Sequence, residues 1–440
     1  MILNGFLEKI ILPTGDQILG TVFMKSLEEW RSIQMLSEAE LDSLQKYKLH
    51  ALLTHAVSNI PFYKSLDKQK KIYINDFPII TKEVISLNLD YMLWHPTKKD
   101  QLVCEKSSGS SGVQGMVYMS KKEQSKIMAL QTLMWEWAGY KIGKEILQTG
   151  MTRKRSTVKK LKDILLKVDY QVAFGLSEKE IHSILFKHIN KKPIFFGGYA
   201  SSLYLFAQTA LQKDVKNVKF ESVISWGDKM FDHYRSAIES CFDCKVYDIY
   251  GSTEGFVISG QKDLEYQYIF TPHVYLEILD KDGNEVKDGE IGYVVLTSLD
   301  AFEMPLIRYN LGDLAIKLPR HKYPKDRSLQ LPLLQKIVGR ETDIVYTPKG
   351  KGLIVHTFTG IMEHYQEIKQ FRVIQTTLNK ITIEYIPRTN FNPTVISQIK
   401  SRIHKEVNEA FNIEFIEVVN IPNSPSGKPQ IIVSSLKRFK

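Results

Sequence analysis

VKFESVISWGDKMFDHYRSAIESCFDCKVYDIY, residues 218–250, decides the fold class. Its first ten residues form an apolar run with β-branched and aromatic character and end at Gly227, which predicts a buried strand. An amphipathic stretch to about Cys241 predicts a helix, and KVYDIY (245–250) a second strand. Strand, helix and strand in about 30 residues form the βαβ unit of a parallel sheet. Downstream the pattern changes. VYLEILDKDGNEVKDGEIGYVVLTSL (274–299) alternates apolar and polar residues around turn signals at Asp282-Gly283-Asn284 and Asp288-Gly289, which predicts antiparallel hairpins. PRHKYPKDRS (319–328) reads as a linker. Beyond about residue 343 come the strands FRVIQTT and KITIEYI, a helix from Thr394 to Phe411 and the strand EFIEVVNI, enough for an independent α+β domain. Upstream, Ser37 and Glu40 have capping-box spacing at the head of a helix. Its apolar face carries Leu49, Leu52, Leu53, Ala56 and Val57, and it stops at Ile60-Pro61. The expected fold is α/β: a large N-terminal domain with parallel sheets and an antiparallel β subdomain, followed by a small C-terminal α+β domain.

A chain of 440 residues exceeds what one core usually serves, so two domains are expected. Hydrophobic residues at 43% and charged residues at 25% fit a soluble globular protein. No apolar run reaches spanning length and the N-terminus lacks a signal-peptide pattern, so a cytoplasmic protein is expected. The three cysteines exclude a disulfide framework. Cys241 and Cys244 have half the spacing of a zinc site, but no second ligand pair accompanies them, and packing is the better reading. The net charge of +10 favours anionic partners without choosing among them. Residues 152–167, TRKRSTVKKLKDILLK, are the densest basic stretch, which reads as a solvated helix face or a surface for peripheral membrane association. Nucleic acid is not expected, because no aromatic-interleaved basic groove, zinc motif or helix-turn-helix signal is present.

Chemistry is concentrated in five segments. SSGSSGVQG (107–115) follows the strand-like QLVCEK; its glycines free backbone N–H groups to face an anion and its serines add donors, as a phosphate cradle requires. It is not a Walker loop, since no Gly-Lys-Ser/Thr ending follows. YGSTEG (250–255), RYNLGDLA (308–315), IVGRETDI (337–344) and SPSGKPQ (424–430) complete the set. Each alone reads as a turn, a loop with a capping Asp, a surface turn or a polar tail.

In this order the five segments resemble the core motifs of the adenylate-forming superfamily of acyl-CoA synthetases, adenylation domains and luciferases. The resemblance is to the phenylacetate-CoA ligase-like branch, especially members that occur with capsular polysaccharide genes. It runs from HAVSNIPFYK (55–64) and FPIITK (77–82) through FGGYASSL (196–203) to the C-terminal lysine, and TPHVYLEILDKDG, EIGYVVLTSL and MPLIRYNLGDLA are its most diagnostic blocks. The resemblance implies that Ser107, Ser108, Gly109, Ser110, Ser111 and Gly112 wrap the ATP β- and γ-phosphates. Gly227 and Asp228 would line the adenine site, and Tyr250, Gly251, Ser252 and Thr253 would stack on adenine and reach the α-phosphate. Glu254 would hold Mg²⁺, Asp313 the ribose hydroxyls, and Arg340 ribose and phosphate at the domain boundary. Lys428 would bridge the acyl carboxylate and the nucleotide. A carboxylate suits a hard cation, another accepts two ribose hydroxyls, and a cation neutralises charge in the in-line transition state.

The implied activity is ATP-dependent formation of an acyl-AMP with release of pyrophosphate, then acyl transfer to CoA, or to a sugar or carrier protein. Domains would be 1–339 and 340–440, with a hinge near 340–343. Three departures stand out. Val113 replaces the family's phosphate-loop lysine, Thr342 its hinge acid, and the zinc-binding cysteines of some relatives are absent. The region that shapes the aryl pocket of phenylacetate enzymes is replaced by the basic 152–167, which argues against phenylacetate as the acid.

Overall fold

The computed structural model describes residues 5–66, 71–106, 116–150, 155–173, 176–340, 344–349, 352–362, 364–365, 367–389, 391–407, 411–422, 430–434 and 436. By internal contacts the chain divides into two compact units, one of residues 1–108, 113–311 and 316–336, the other of 109–112, 312–315 and 337–440. A small hairpin opens the strand series, β1 (Val103–Lys106) antiparallel to β2 (Met116–Met119).

The strands β3 (Ile146–Gly150), β4 (Val168–Val172), β5 (Ile194–Tyr199), β6 (Phe220–Trp226) and β7 (Val246–Gly251) form the parallel block. Their order is β4-β3-β5-β6-β7, each pair parallel. Helices Thr157–Leu166, Glu178–Phe186, Ala200–Gln212 and Asp232–Phe242 make the crossovers. Strand order reverses at β3, with β4 on one side and β5 on the other, and ligands of open α/β sheets bind outside the strands' carboxyl ends at such a point. Phe196, Val223 and Val246 pack one face on Leu203, Phe206, Ile238 and Phe242, while Ile146, Phe195, Ile224 and Ile249 pack the other on Leu130, Leu133 and Trp137. The residues read from 218–250 as a βαβ unit are thus β6, the helix Asp232–Phe242 and β7.

An antiparallel continuation follows: β8 (Val257–Gly260), β9 (Gln267–Ile269), β10 (Val274–Leu279), β11 (Gly292–Ser298), β12 (Tyr309–Lys317) and β13 (Leu333–Arg340). Among the described residues the sheet has eleven strands, ordered β10-β11-β12-β13-β9-β8-β7-β6-β5-β3-β4. The hairpin expected over 274–299 is the β10–β11 pair. RYNLGDLA and IVGR, expected as a loop and a surface turn, are strand, because a paired sheet interior overrides the turn propensity of Gly and Asp. PRHKYPKDRS is not an interdomain linker. It is a loop between β12 and β13 pinned to the first unit, with Arg320 paired to Glu38 and the Ser328 N–H donating to Asp263 at 2.9 Å.

Helix Glu38–Asn59 carries the capping box read from its sequence: Ser37 Oγ accepts from the Glu40 N–H at 3.4 Å and Glu40 accepts from the Ser37 N–H at 2.8 Å. Leu52, Leu53, Ala56 and Val57 are buried, and Leu49 partly so. Lys48 of this helix reaches Asp300 at 2.8 Å and the Pro272 carbonyl at 2.6 Å, tying the helix to the antiparallel strands.

In the second unit, β14 (Ile344–Tyr346) pairs with β15 (Gly352–Ile354), and β16 (Ile368–Thr377), β17 (Lys380–Pro387), β18 (Asn412–Glu417) and β19 (Ile432–Ser434) form a sheet ordered β18-β17-β16-β19. Helices Val355–Met362 and Thr394–Val407 accompany it. Val373, Ile381, Ile383, Ile399, Ile403 and Ile432 are buried in its core. No helix among the described residues is long and apolar enough to cross a membrane.

Candidate active site

β6 and β7 run parallel as neighbours, with Trp226 opposite Ile249, so the residues just beyond their carboxyl ends emerge side by side. That register sets Gly227 and Asp228 level with Tyr250 and Gly251. After β7 the chain reverses tightly, the Ser252 N–H donating to the Phe256 carbonyl at 2.8 Å and the Gly255 N–H to the Ser252 carbonyl at 3.3 Å. Glu254 projects from this turn, only 7% exposed, and Tyr250 is buried behind it.

A buried carboxylate is costly unless it is paired. Lys82 Nζ lies 3.3 Å from Glu254 Oε1, and the Tyr309 hydroxyl donates to the same oxygen at 3.2 Å. Burial pushes the carboxyl up, but the Lys82 charge and hydrogen bonds outweigh it and hold Glu254 below the usual carboxylate range. The other oxygen, Oε2, accepts from the Thr253 hydroxyl at 3.4 Å.

Lys82 is placed by an extended segment. The Ile80 N–H donates to the Arg308 carbonyl at 3.0 Å and the Asn310 N–H to the Ile80 carbonyl at 2.9 Å, so Phe77–Ile80 docks beside Tyr309. Thr81 then caps the helix Lys82–Asn88, whose first residue is Lys82. Arg308 holds the left-handed φ of +52°, at a cost of about 1–2 kcal/mol for a residue with a side chain. Its guanidinium offsets that by pairing with Glu277 at 3.0 Å and donating to the Phe77 carbonyl at 3.3 Å. Lys82, Arg308 and Tyr309 were missed as site residues, although all three lie in the FPIITK and MPLIRYNLGDLA blocks; no spacing rule links positions more than 200 residues apart.

Asp228 accepts from the Ser201 N–H at 3.3 Å and from the Ser201 hydroxyl, in the first turn of helix Ala200–Gln212, where the helix dipole favours an anion. Burial, then the Asp228 charge, push the Tyr199 hydroxyl up to about 12. Aromatic rings fill the neighbouring space. Trp135 and Trp226 stack with centroids 5.3 Å apart, and a Cβ on Gly197 would come within 2.7 Å of Trp226. At Gly227, φ is +81° and a Cβ would stand 2.4 Å from the Tyr199 ring. Gly227→Ala is therefore expected to displace Tyr199 and strain the backbone, lowering the thermal midpoint by several degrees; an unchanged midpoint would show that Tyr199 yields freely.

Asp248, on β7, accepts from Gln267 Nε2 at 3.0 Å, and burial pushes its carboxyl up to about 6. The folded state then binds more protons than the unfolded one between about pH 4 and 6, so this group's contribution to stability falls as pH rises through that window. Asp248→Asn is expected to gain stability over wild type at pH 8 more than at pH 4, read by urea unfolding.

Asp313 is partly buried on β12, and Arg340 ends β13. Ser107, Ser108, Gly109, Ser110, Ser111 and Gly112, as well as Val113, Thr342 and Lys428, lie outside the described residues. Among the described residues no cluster of three His, Cys, Asp or Glu side chains could hold a metal. Mg²⁺ nonetheless often uses one protein carboxylate plus substrate phosphates, and Glu254, held ionised in the turn after β7, fits that role. Cys241 and Cys244 are partly buried against the helix side of the sheet, and burial pushes their thiols up to about 11 and about 12, which suits packing rather than metal binding.

Comparison with known proteins agrees with this architecture. A family model described as the CapK C-terminal domain matches residues 345–435. Over 449 aligned residues, covering 96% of both chains, the protein is 24% identical to Protein CapK of Staphylococcus aureus. It is also 24% identical to the phenylacetate-coenzyme A ligase of Pseudomonas putida, over 76% of this chain and 78% of that one. Among solved structures it superposes on 2-hydroxyisobutyryl-CoA ligase in a postadenylation state with an acyl-AMP, at a TM-score of 0.73 and 15% identity, covering 92% and 91% of the two chains. The anthranilate CoA ligase AuaEII in complex with anthranoyl-AMP matches at a TM-score of 0.51.

Proposed function

We propose, for a chain homologous to CapK and to phenylacetate-coenzyme A ligases and built on the fold of adenylate-forming CoA ligases, that it activates a carboxylic acid as its acyl-AMP. The observation that carries the reading is Glu254: buried, yet kept ionised by Lys82 in the turn after β7.

In the first half-reaction a carboxylate oxygen of the acid attacks the ATP α-phosphorus, the bond to the bridging oxygen breaks, and pyrophosphate leaves. The turn after β7 aligns the nucleotide, Tyr250 to Thr253 lying along adenine and α-phosphate, with Gly227 and Asp228 on its other side. Ser107 to Gly112 hold the outer phosphates, Asp313 the ribose, Arg340 ribose and phosphate at the hinge. Mg²⁺ at Glu254 would supply charge neutralisation on the phosphates. Lys428 brings a cation to the acyl carboxylate and nucleotide. In the second half-reaction the 340–440 domain turns about 340–343, an acceptor nucleophile attacks the acyl carbonyl, and AMP departs. CoA is the acceptor we favour. A sugar or carrier protein is the second reading, resting on the resemblance to members that occur with capsular polysaccharide genes.

ATP–pyrophosphate exchange against a panel of acids tests the reading. Acid-dependent incorporation of label is expected. Its absence with every acid would leave a nucleotide-binding regulator, and AMP release with CoA against sugar or carrier acceptors then separates the two acceptor readings.

A further inference from the structure

Outside the active site, the helix Thr157–Leu166 shows an apolar face to water. Leu161 is 68% exposed, Ile164 76% and Leu165 38%, at i, i+3 and i+4, which places them on one side. The single acid of the helix, Asp163, is taken by Arg155, whose guanidinium also lies 4.1 Å over the Tyr170 ring. Lys159, Lys160, Lys162 and Lys167, all exposed, therefore leave this surface with a net positive charge. The N-terminal helix Leu12–Leu19 extends the feature: Leu12 and Leu166 pack on the same core cluster, and Asp16 lies within electrostatic reach of Lys162. Just beyond Asp16, Ile18 and Leu19 are 78% and 58% exposed. Scattered exposed apolar residues need no explanation, but several on two helices, bracketed by lysines, do.

We propose that this face, Leu161, Ile164 and Leu165 with the flanking lysines and Ile18 and Leu19, docks the protein on an anionic lipid bilayer surface. The chemistry selects that occupant. An amphipathic helix with aliphatic residues on one face and lysines beside them lies in the headgroup plane, its side chains entering the acyl boundary while ammonium groups meet lipid phosphates. A second copy of the same face would set lysines against lysines, which opposes self-association. None of these residues belongs to the proposed nucleotide site, so vesicle binding is read separately from nucleotide binding.

The test uses the full-length protein and sedimentation with vesicles of phosphatidylcholine alone or mixed with phosphatidylglycerol. Binding only to the anionic vesicles is expected, weakening as salt rises. Each lysine near such a surface is worth about fivefold in partitioning, so Lys160→Glu/Lys162→Glu should bind at least 10-fold more weakly. Ile164→Glu should abolish sedimentation while the thermal midpoint stays at wild type; Leu161→Ser is the second variant if Ile164→Glu unfolds. Failure to bind anionic vesicles, equal binding to neutral ones, or wild-type binding by the exposed-residue variants would overturn the proposal. So would light scattering that shows a dimer dissociated by Ile164→Glu, because the face would then belong to a second copy.

Discussion

Lys428→Ala is expected to lose adenylation by about 100- to 1,000-fold, the usual effect of removing one preorganised donor from a developing charge. At unchanged stability it should still convert supplied acyl-AMP to product. A lysine in the polar segment SPSGKPQ, 12 residues from the chain end, would ordinarily be replaceable within about 0.5 kcal/mol. On the adenylation reading the small domain carries it to the carboxylate and nucleotide oxygens only in the first half-reaction, and domain rotation removes it for the second. The measurement pairs ATP–pyrophosphate exchange with AMP release from chemically made acyl-AMP. Normal rates in both would sink the assignment, and equal loss in both would indicate a defect in the small domain's fold.

Glu254→Gln is expected to lower exchange by at least about 100-fold, because it keeps the shape but removes the charge next to the metal-bearing phosphates. Sequence alone implies a purely functional loss. The structure adds a second consequence, since Lys82 would be left without its anionic partner in a site where its side chain is 16% exposed and that of Glu254 4%. Breaking a buried pair by removing one member typically costs about 3–5 kcal/mol, and the residual exposure of Lys82 places this one at the lower end. The double variant Lys82→Met/Glu254→Gln should regain most of that stability and none of the exchange, which separates folding from chemistry. Because the Glu254 carboxyl is held below its usual range, its contribution to stability is complete above the unfolded-state value near pH 4 and is lost as pH falls through the folded one. Exchange at the wild-type rate in Glu254→Gln would remove the residue from the site.

Local signals carried the architecture wherever they concerned neighbours along the chain. The period of the apolar residues in 218–250 determined strand, helix and strand, Ser37 and Glu40 marked the head of their helix, and Asp-Gly turns marked the β10–β11 hairpin, because each of these is set by interactions within a few residues. Glu254 was a candidate through the resemblance that YGSTEG carries together with the other four segments. What the carboxylate meets was not legible. Lys82 and Tyr309 are 172 and 55 residues away from it, and only the docking of Phe77–Ile80 against Tyr309, held by the buried Arg308–Glu277 pair, brings them to it. RYNLGDLA was misread for the same reason: its Gly and Asp favour turns locally, but the hydrogen bonds of neighbouring strands make it the strand β12. The apolar face of the helix Thr157–Leu166 likewise needed the fold, since periodicity gives an amphipathic helix without saying whether its apolar side meets the core or water. Sequence by itself thus determined the elements set by local signals and the motif order that resembles the adenylate-forming superfamily. Tertiary structure decided which charges pair and which apolar groups stay exposed, because burial and pairing depend on chain segments that only folding brings together.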